Sequence, residues 1–170
     1  MKRHFVMMAA YNRWANERVY EAAEALSDDE LGRNVGAFFG SMLGTLNHIL
    51  VADRIWMKRF TGEGDAPAKL DTVLHDRLAD LKAAREAEDA RIEHYVGGLD
   101  EAAFDRTFSY RTIVQPATVT QRLSPALAHF FNHQTHHRGQ AHMILSVLGK
   151  APPSLDLVYF HRSTTGRVHA

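Results

Sequence analysis

The chain has no cysteine, and that single absence removes disulfides, thiolate metal ligands and a cysteine nucleophile together. An excess of charge is missing too: Lys and Arg total 20, and Asp and Glu total 20. With no global field to draw in nucleic acid or an anionic membrane, neither is expected as a partner. No apolar stretch approaches the roughly 20 residues that span a bilayer. Internal repeats, low-complexity tracts and linkers are absent as well. The opening "MKRHFVMMAA" sets two basic residues before a short apolar run, as a signal peptide does. The run stops at "YNRWANER" without a convincing cleavage site, so it reads as the start of a mature helix in a cytoplasmic protein.

What remains suffices for one domain. A chain of 170 residues, 45% of them apolar, can build one compact core over residues 1–170 and not two comfortable ones. From Phe5 to Leu26 the apolar residues Phe5, Met8, Tyr11, Ala15, Val19, Ala22 and Leu26 recur every three or four positions, the mark of a helix with one buried face. Ser27 and Glu30 in "LSDDEL" form a capping box that opens a short helical turn. A second long helix is expected from about Phe38 to Phe60, ending at the loop "TGEGDAP". A third is expected to start at an Asp71 cap and end at Gly97-Gly98, with Leu74, Leu78, Leu81, Ala84, Ile92 and Tyr95 on one stripe. Glu88 interrupts that stripe, which suggests a less buried middle, and most of "KAAREAEDAR" reads as a solvated face. Residues 104–122 alternate instead and are rich in Thr, Val, Phe and Tyr, so they read as a small hairpin or two irregular strands. Ser124-Pro125 would then cap a last long helix ending at Gly149, and "SLDLVYFHR" would dock as a short tail. The predicted fold is all-α: an antiparallel four-helix bundle whose crossover, residues 99–123, carries the hairpin. Tyr11, Trp14 and Trp56 are read as core.

The chemistry sits in "AHFFNHQTHHRGQ" on the last helix. His129, His133 and His137 are spaced by four, so they stack one above the other along one face. The outer two are about 12 Å apart, too far to share one ion held at about 2.0–2.1 Å per nitrogen. One adjacent pair must therefore bind, with a third ligand from another helix. His136 belongs to a different face. The best third ligand is His48 in "SMLGTLNHILVADRIW", which lines up with the small residues Ser41, Gly44, Thr45 and Ala52 and so has room for a pocket in front of it. The other histidines, His4, His75, His94, His161 and His169, are read as surface or hydrogen-bonded residues. Asn132 and Gln140 could hydrogen-bond ligating imidazoles. Arg138 could bind an anionic substrate group or pair with an acid, and Asp53 reads as a surface or structural acid rather than a base.

"LNHIL" together with the "NHxxxHRGQ" block resembles the DinB-like family of small metal-binding four-helix proteins. "YNRWANERV" and "RIWMKRFTG" fit that family too, so the likeness covers nearly the whole chain. The resemblance implies a metal held by three histidines, one on the second helix and two in the block: His48, His133 and His137. It also implies a homodimer and, from characterised relatives, a metal-dependent transferase that joins a low-molecular-weight thiol to an electrophile, or a related thiol-dependent isomerase. With nitrogen ligands and no thiolate, one Zn²⁺ or Ni²⁺ per chain is the expected occupant, and a small molecule the expected substrate. "HQTHH" lacks the Glu of the "HExxH" metalloproteases, which ranks peptide hydrolysis low and leaves a metal-dependent hydrolase of another kind as a third possibility. A non-catalytic metal-binding stress-response protein would need the same triad and is the alternative.

Overall fold

A computed structural model describes residues 1–170. Four long helices carry it, α1 (Lys2–Ala23), α3 (Met42–Thr61), α4 (Leu78–Gly98) and α5 (Leu123–Val147), with a short α2 (Asp28–Gly32) after the first. The second long helix buries Met42, Leu46, Ile49 and Trp56 along one stripe. The capping box also forms, Ser27 Oγ accepting from the Glu30 amide and the Glu30 carboxylate from the Ser27 amide. No helix is long and apolar enough to cross a membrane.

Contacts between helices fix their directions. α1 is antiparallel to α4, since Arg13 meets Glu93 and Glu24 meets Lys82. α3 is antiparallel to α5, since His48 meets His137 and Trp56 meets His129. The two pairs lie side by side so that α3 and α4 run alike, Asp53 meeting Arg85 and Thr61 meeting Arg91. The bundle closes where α1 packs on α5, through Phe5 against Phe131 and Asn12 against Arg138. The connection from α4 to α5 carries the expected hairpin, β1 (Thr107–Arg111) paired antiparallel with β2 (Thr118–Arg122). Two strands cannot bury themselves alone, and here Tyr110 rests on Trp56 and Phe108 on Phe60. The tail docks as α6 (Leu157–Arg162), with Phe160 edge-on to Tyr11 and Trp14.

Several boundaries differ from those expected, for identifiable reasons. Because α3 and α4 run in the same direction, residues 62–77 must travel back along α3 before α4 can begin. Asp71 therefore caps nothing, and α4 starts at Leu78 after Arg77. Asn47 holds the returning chain, accepting from the amides of Leu74 and His75 and donating to the His75 carbonyl. α3 starts at Met42 rather than near Phe38, because Ser41 caps it by accepting from the Gly44 amide at 3.1 Å. β2 runs straight into α5, so Ser124 is buried in the first turn instead of capping it. Pro125 is tolerated there because first-turn amides need no helical partner. α1 ends at Ala23, although Leu26 beyond it is still buried.

The middle of α4 corrects the expectation of a solvated face: Arg85, Glu88 and Asp89 are all buried. They form a charged layer across the bundle, between two apolar clusters that fill its ends. Arg85 pairs with Asp53 at 2.5 Å and with Asp89 at 3.1 Å. Asp89 accepts from Asn12 and Asn16, whose carbonyl oxygens accept in turn from Arg138. Glu88 pairs with Arg91 and Arg54 at the edge of the layer, and inside it two guanidiniums balance the carboxylates of Asp53 and Asp89, which is how buried charge is tolerated. Even so, burial pushes the Asp53 carboxyl up to about 7 against the pull of Arg85. Replacing Arg85 by Ala strands both carboxylates and should destabilise the fold by about 3–5 kcal/mol. Urea unfolding of the variant checks this, and a loss below about 1 kcal/mol would mean that the layer is dispensable.

Candidate metal centre

α3 and α5 cross face to face, so the second turn of one meets the middle of the other. His48 is buried on α3, and His133 and His137 occupy successive turns of α5. Ring centroids are 4.4 Å apart for His48 and His137, 4.3 Å for His133 and His137, and 5.3 Å for His48 and His133. One ring nitrogen from each lies within 4.8 Å of the others. Of the pairs that the His129 ladder allowed, the fold brings together His133 and His137 with His48.

Hydrogen bonds decide what these rings present to one another. Nδ1 of His48 lies 2.9 Å from the carbonyl oxygen of Leu70. A carbonyl only accepts, so Nδ1 carries the proton and Nε2 keeps a lone pair. Nδ1 of His137 lies 2.8 Å from Oε1 of Gln140, and with the amide oxygen turned to the ring its Nε2 is free as well. The two Nε2 atoms are 3.2 Å apart. With both rings in that tautomer, two lone pairs converge on one point, as ligands of a shared cation do. Two nitrogens bound to one ion at about 2.0–2.1 Å stand about 2.9–3.4 Å apart, so the separation fits a shared divalent metal. A proton is a poor substitute: burial pushes His48 down to about 4 and, aided by the neighbouring imidazoles, His133 down to about 3. Burial lowers His137 as well.

Neighbouring groups hold these rings in place. Phe39 stacks on the His48 ring at 3.7 Å and meets His137 edge-on. Gly44 makes that approach possible, since a Cβ there would overlap the Phe39 carbonyl oxygen. The expected bond from Gln140 is present, whereas Asn132 is exposed and bonds neither imidazole. Arg138 faces away from the histidines, into the charged layer, and pairs with amides rather than an acid or a substrate. Asp53 is a structural acid bound to Arg85. His129 sits one turn beyond the triad against Trp56, at 5.1 Å between ring centroids, and His136 projects from the exposed face of α5. The Leu70 carbonyl and the Phe39 ring were not legible beforehand. A backbone oxygen has no residue signature, and Phe39 fell within the span expected for the second long helix, which in fact starts at Met42.

One side of the triad opens into a cavity of about 510 Å³. His133 and His129 border it, along with Trp56, Tyr110, Arg59 and Leu70. Replacing His48, His133 or His137 by Ala should each remove most bound metal, while His129→Ala leaves about one ion per chain. Elemental analysis of the purified variants measures this. Retention in His137→Ala with loss in His129→Ala would select the other pair on the ladder.

The comparisons with known proteins agree with this architecture. Residues 1–168 match the DinB family. Protein DinB of Bacillus subtilis (strain 168) is 25% identical over 164 residues, covering 91% of this chain and 92% of that protein. Among solved structures, the crystal structure of a DinB-like protein from Bacillus cereus ATCC 10987 has a TM-score of 0.65. It covers 83% of this chain and 90% of its own at 15% identity, a likeness of fold. With the helices, the hairpin and nearly the full length accounted for, the chain belongs to the DinB family.

Proposed function

We propose that His48, His133 and His137 hold one divalent ion, Zn²⁺ or Ni²⁺, and that the site activates a low-molecular-weight thiol for transfer to an electrophile. The observation that carries the reading is the convergence of three imidazoles, one nitrogen of each within 4.8 Å of the others, beside a cavity. Three neutral imidazoles leave at least one coordination position, and an ion there supplies Lewis acidity, generating a thiolate or hydroxide near neutral pH. The chain's own residues do the rest. Leu70 and Gln140 orient the two rings, and Phe39 covers one side of them. The cavity offers an electrophile the apolar surface of Ile55, Ile113 and Val114. His129, whose pKa burial and then Arg59 lower, borders the same cavity.

No Asp or Glu borders the cavity, and Asp53 is committed to Arg85. Water attack assisted by a carboxylate base therefore has no candidate. The same reading treats residues 1–170 as one domain, working in the cytoplasm on a small molecule without nucleic acid, in keeping with its even charge. It also includes a homodimer, the commonest soluble assembly. Phe38, Met143 and Val147, exposed around one cavity, offer it apolar surface.

The zinc- or nickel-loaded protein should conjugate a low-molecular-weight thiol to a chloro-dinitro-arene. Chelation should abolish the rate, and metal should restore it without refolding. One ion bound per chain with no turnover across a panel of thiols and electrophiles would select the binding-protein reading.

The pH dependence carries a definite sign. A free imidazole titrates near 6.5, whereas His48 and His133 take up protons only near 4 and 3 in the fold. Protons therefore compete poorly for the ligands. After dialysis, metal should persist at roughly pH 5.5 and be lost as the pH nears about 4. In the metal-free protein the unfolded chain binds protons below about pH 6.5 and the folded chain does not. The contribution of these rings to stability is thus full above about 6.5 and lost as the pH falls towards 4. Melting temperature, followed from pH 7 down to about 4, should decline across that window.

A further inference from the structure

The cavity beside His133 ends in a group that the metal reading leaves without a task. Arg59 lies eleven residues after His48 on α3, about 16 Å along the helix. Its guanidinium carbon sits 4.5 Å from the Trp56 ring centroid and 4.4 Å from that of Tyr110. The cation is thus held between an aromatic of α3 and one of the hairpin. Its single hydrogen bond goes to the Arg111 carbonyl oxygen, at 3.3 Å. A guanidinium carries five N–H donors, so most of those of Arg59 are unused. No carboxylate lies within 4.0 Å of Arg59, nor of Arg111 beside it, whereas Arg54 and Arg91 on the neighbouring face both reach Glu88.

The surroundings sharpen the point. The cavity has no acidic residue on its wall, and neither has the smaller one adjoining it, which shares Arg59, Ile55 and Ile113 and adds Lys58 and Arg111. A chain of zero net charge therefore gathers three cations at one mouth with no carboxylate to neutralise them. Arg stacked between rings keeps its planar fork in place, which lowers the entropy lost when it grips a planar anion. One such fork matches one carboxylate, and the rest of the wall, with Ala52, Ile55, Leu70, Ile113 and Val114, is apolar. Ring contacts then run unbroken from Tyr110 through Trp56 and His129 to His133.

We propose that this cavity is a substrate subsite for an aromatic or aliphatic monocarboxylate, with Arg59 gripping the carboxylate and the apolar body extending towards His133. The substrate of the proposed metal site is then an electrophile with a carboxylate remote from the reacting carbon. The proposal rests on the metal reading for its catalytic meaning, but not for binding.

Calorimetric titration of 4-phenylbutyrate and its neutral amide, into metal-free and zinc-loaded protein, separates the two. The carboxylate should bind tighter than the amide by about tenfold or more in both forms. Arg59→Gln should erase that preference while leaving the affinity of the amide unchanged, and Arg59→Lys, which keeps the charge but not the fork, should retain part of it. Melting temperature shows whether each variant is folded, and the wild-type comparison stands without them. Equal binding of the two probes by the wild-type protein overturns the subsite. So does a preference that appears only with zinc and survives Arg59→Gln, since the carboxylate would then be on the ion and the metal reading would stand alone. An Arg59-dependent preference in a protein that binds no zinc would support the subsite while removing the metal reading.

Discussion

All four long helices meet in one buried layer of charge, and their mutual register depends on it. α1 supplies Asn12 and Asn16, α3 supplies Asp53, α4 supplies Arg85 and Asp89, and α5 supplies Arg138. Apolar side chains tolerate small slips, because their attraction has no direction. A guanidinium between two carboxylates does not, since a shift of one turn would leave buried charges unpaired at several kcal/mol each. The layer therefore locks helix against helix while the apolar clusters on either side supply most of the cohesion.

That lock also sets the histidines. Asp53 lies little more than a turn from His48 on α3, and Arg138 follows His137 directly on α5. When both are held in the layer, the opposite faces of the same helices are held too, and His48 arrives opposite His137 with Nε2 atoms 3.2 Å apart. The return of residues 62–77 then delivers the Leu70 carbonyl that determines which nitrogen of His48 is free. Parallel placement of α3 and α4 thus has a chemical consequence: it forces a long connection past the site, and that connection selects the tautomer.

The hairpin has the corresponding role at the other end of the cavity. A flat pair of strands contributes little stability of its own. It does place Tyr110 over Arg59, and Ile113 and Val114 over the cavity between α3 and α5. The rigid bundle holds the nitrogens, and the connection shapes what can approach them, the common division between a scaffold and its loops.

Much of this was legible in the residues alone. The spacing of three and four in "YNRWANERV" and "LNHILVADRIW", and the alternation in "TFSYR", dictate helix and strand through backbone period, which is local, whereas Phe104 and Asp105, read with the strands, close a 3-10 turn. The i,i+4 spacing of His133 and His137 needs only helical geometry to converge. Which pair of the ladder would face His48 was not local, because it depends on how α3 and α5 cross. The charged stretch of α4 misled for the same reason: Arg85 and Asp89 have the composition of a solvated face, and only partners from α1, α3 and α5 make their burial affordable. Helix starts at Asp71 and Ser124 failed because a long return and a strand-to-helix join overrode capping preference. Sequence by itself determined the helices, the hairpin and the pool of ligands, since those follow from neighbours a few residues apart. Tertiary structure alone decided the tautomers, the free guanidinium of Arg59 and the cavity joining them, since each is a relation between residues distant in the chain.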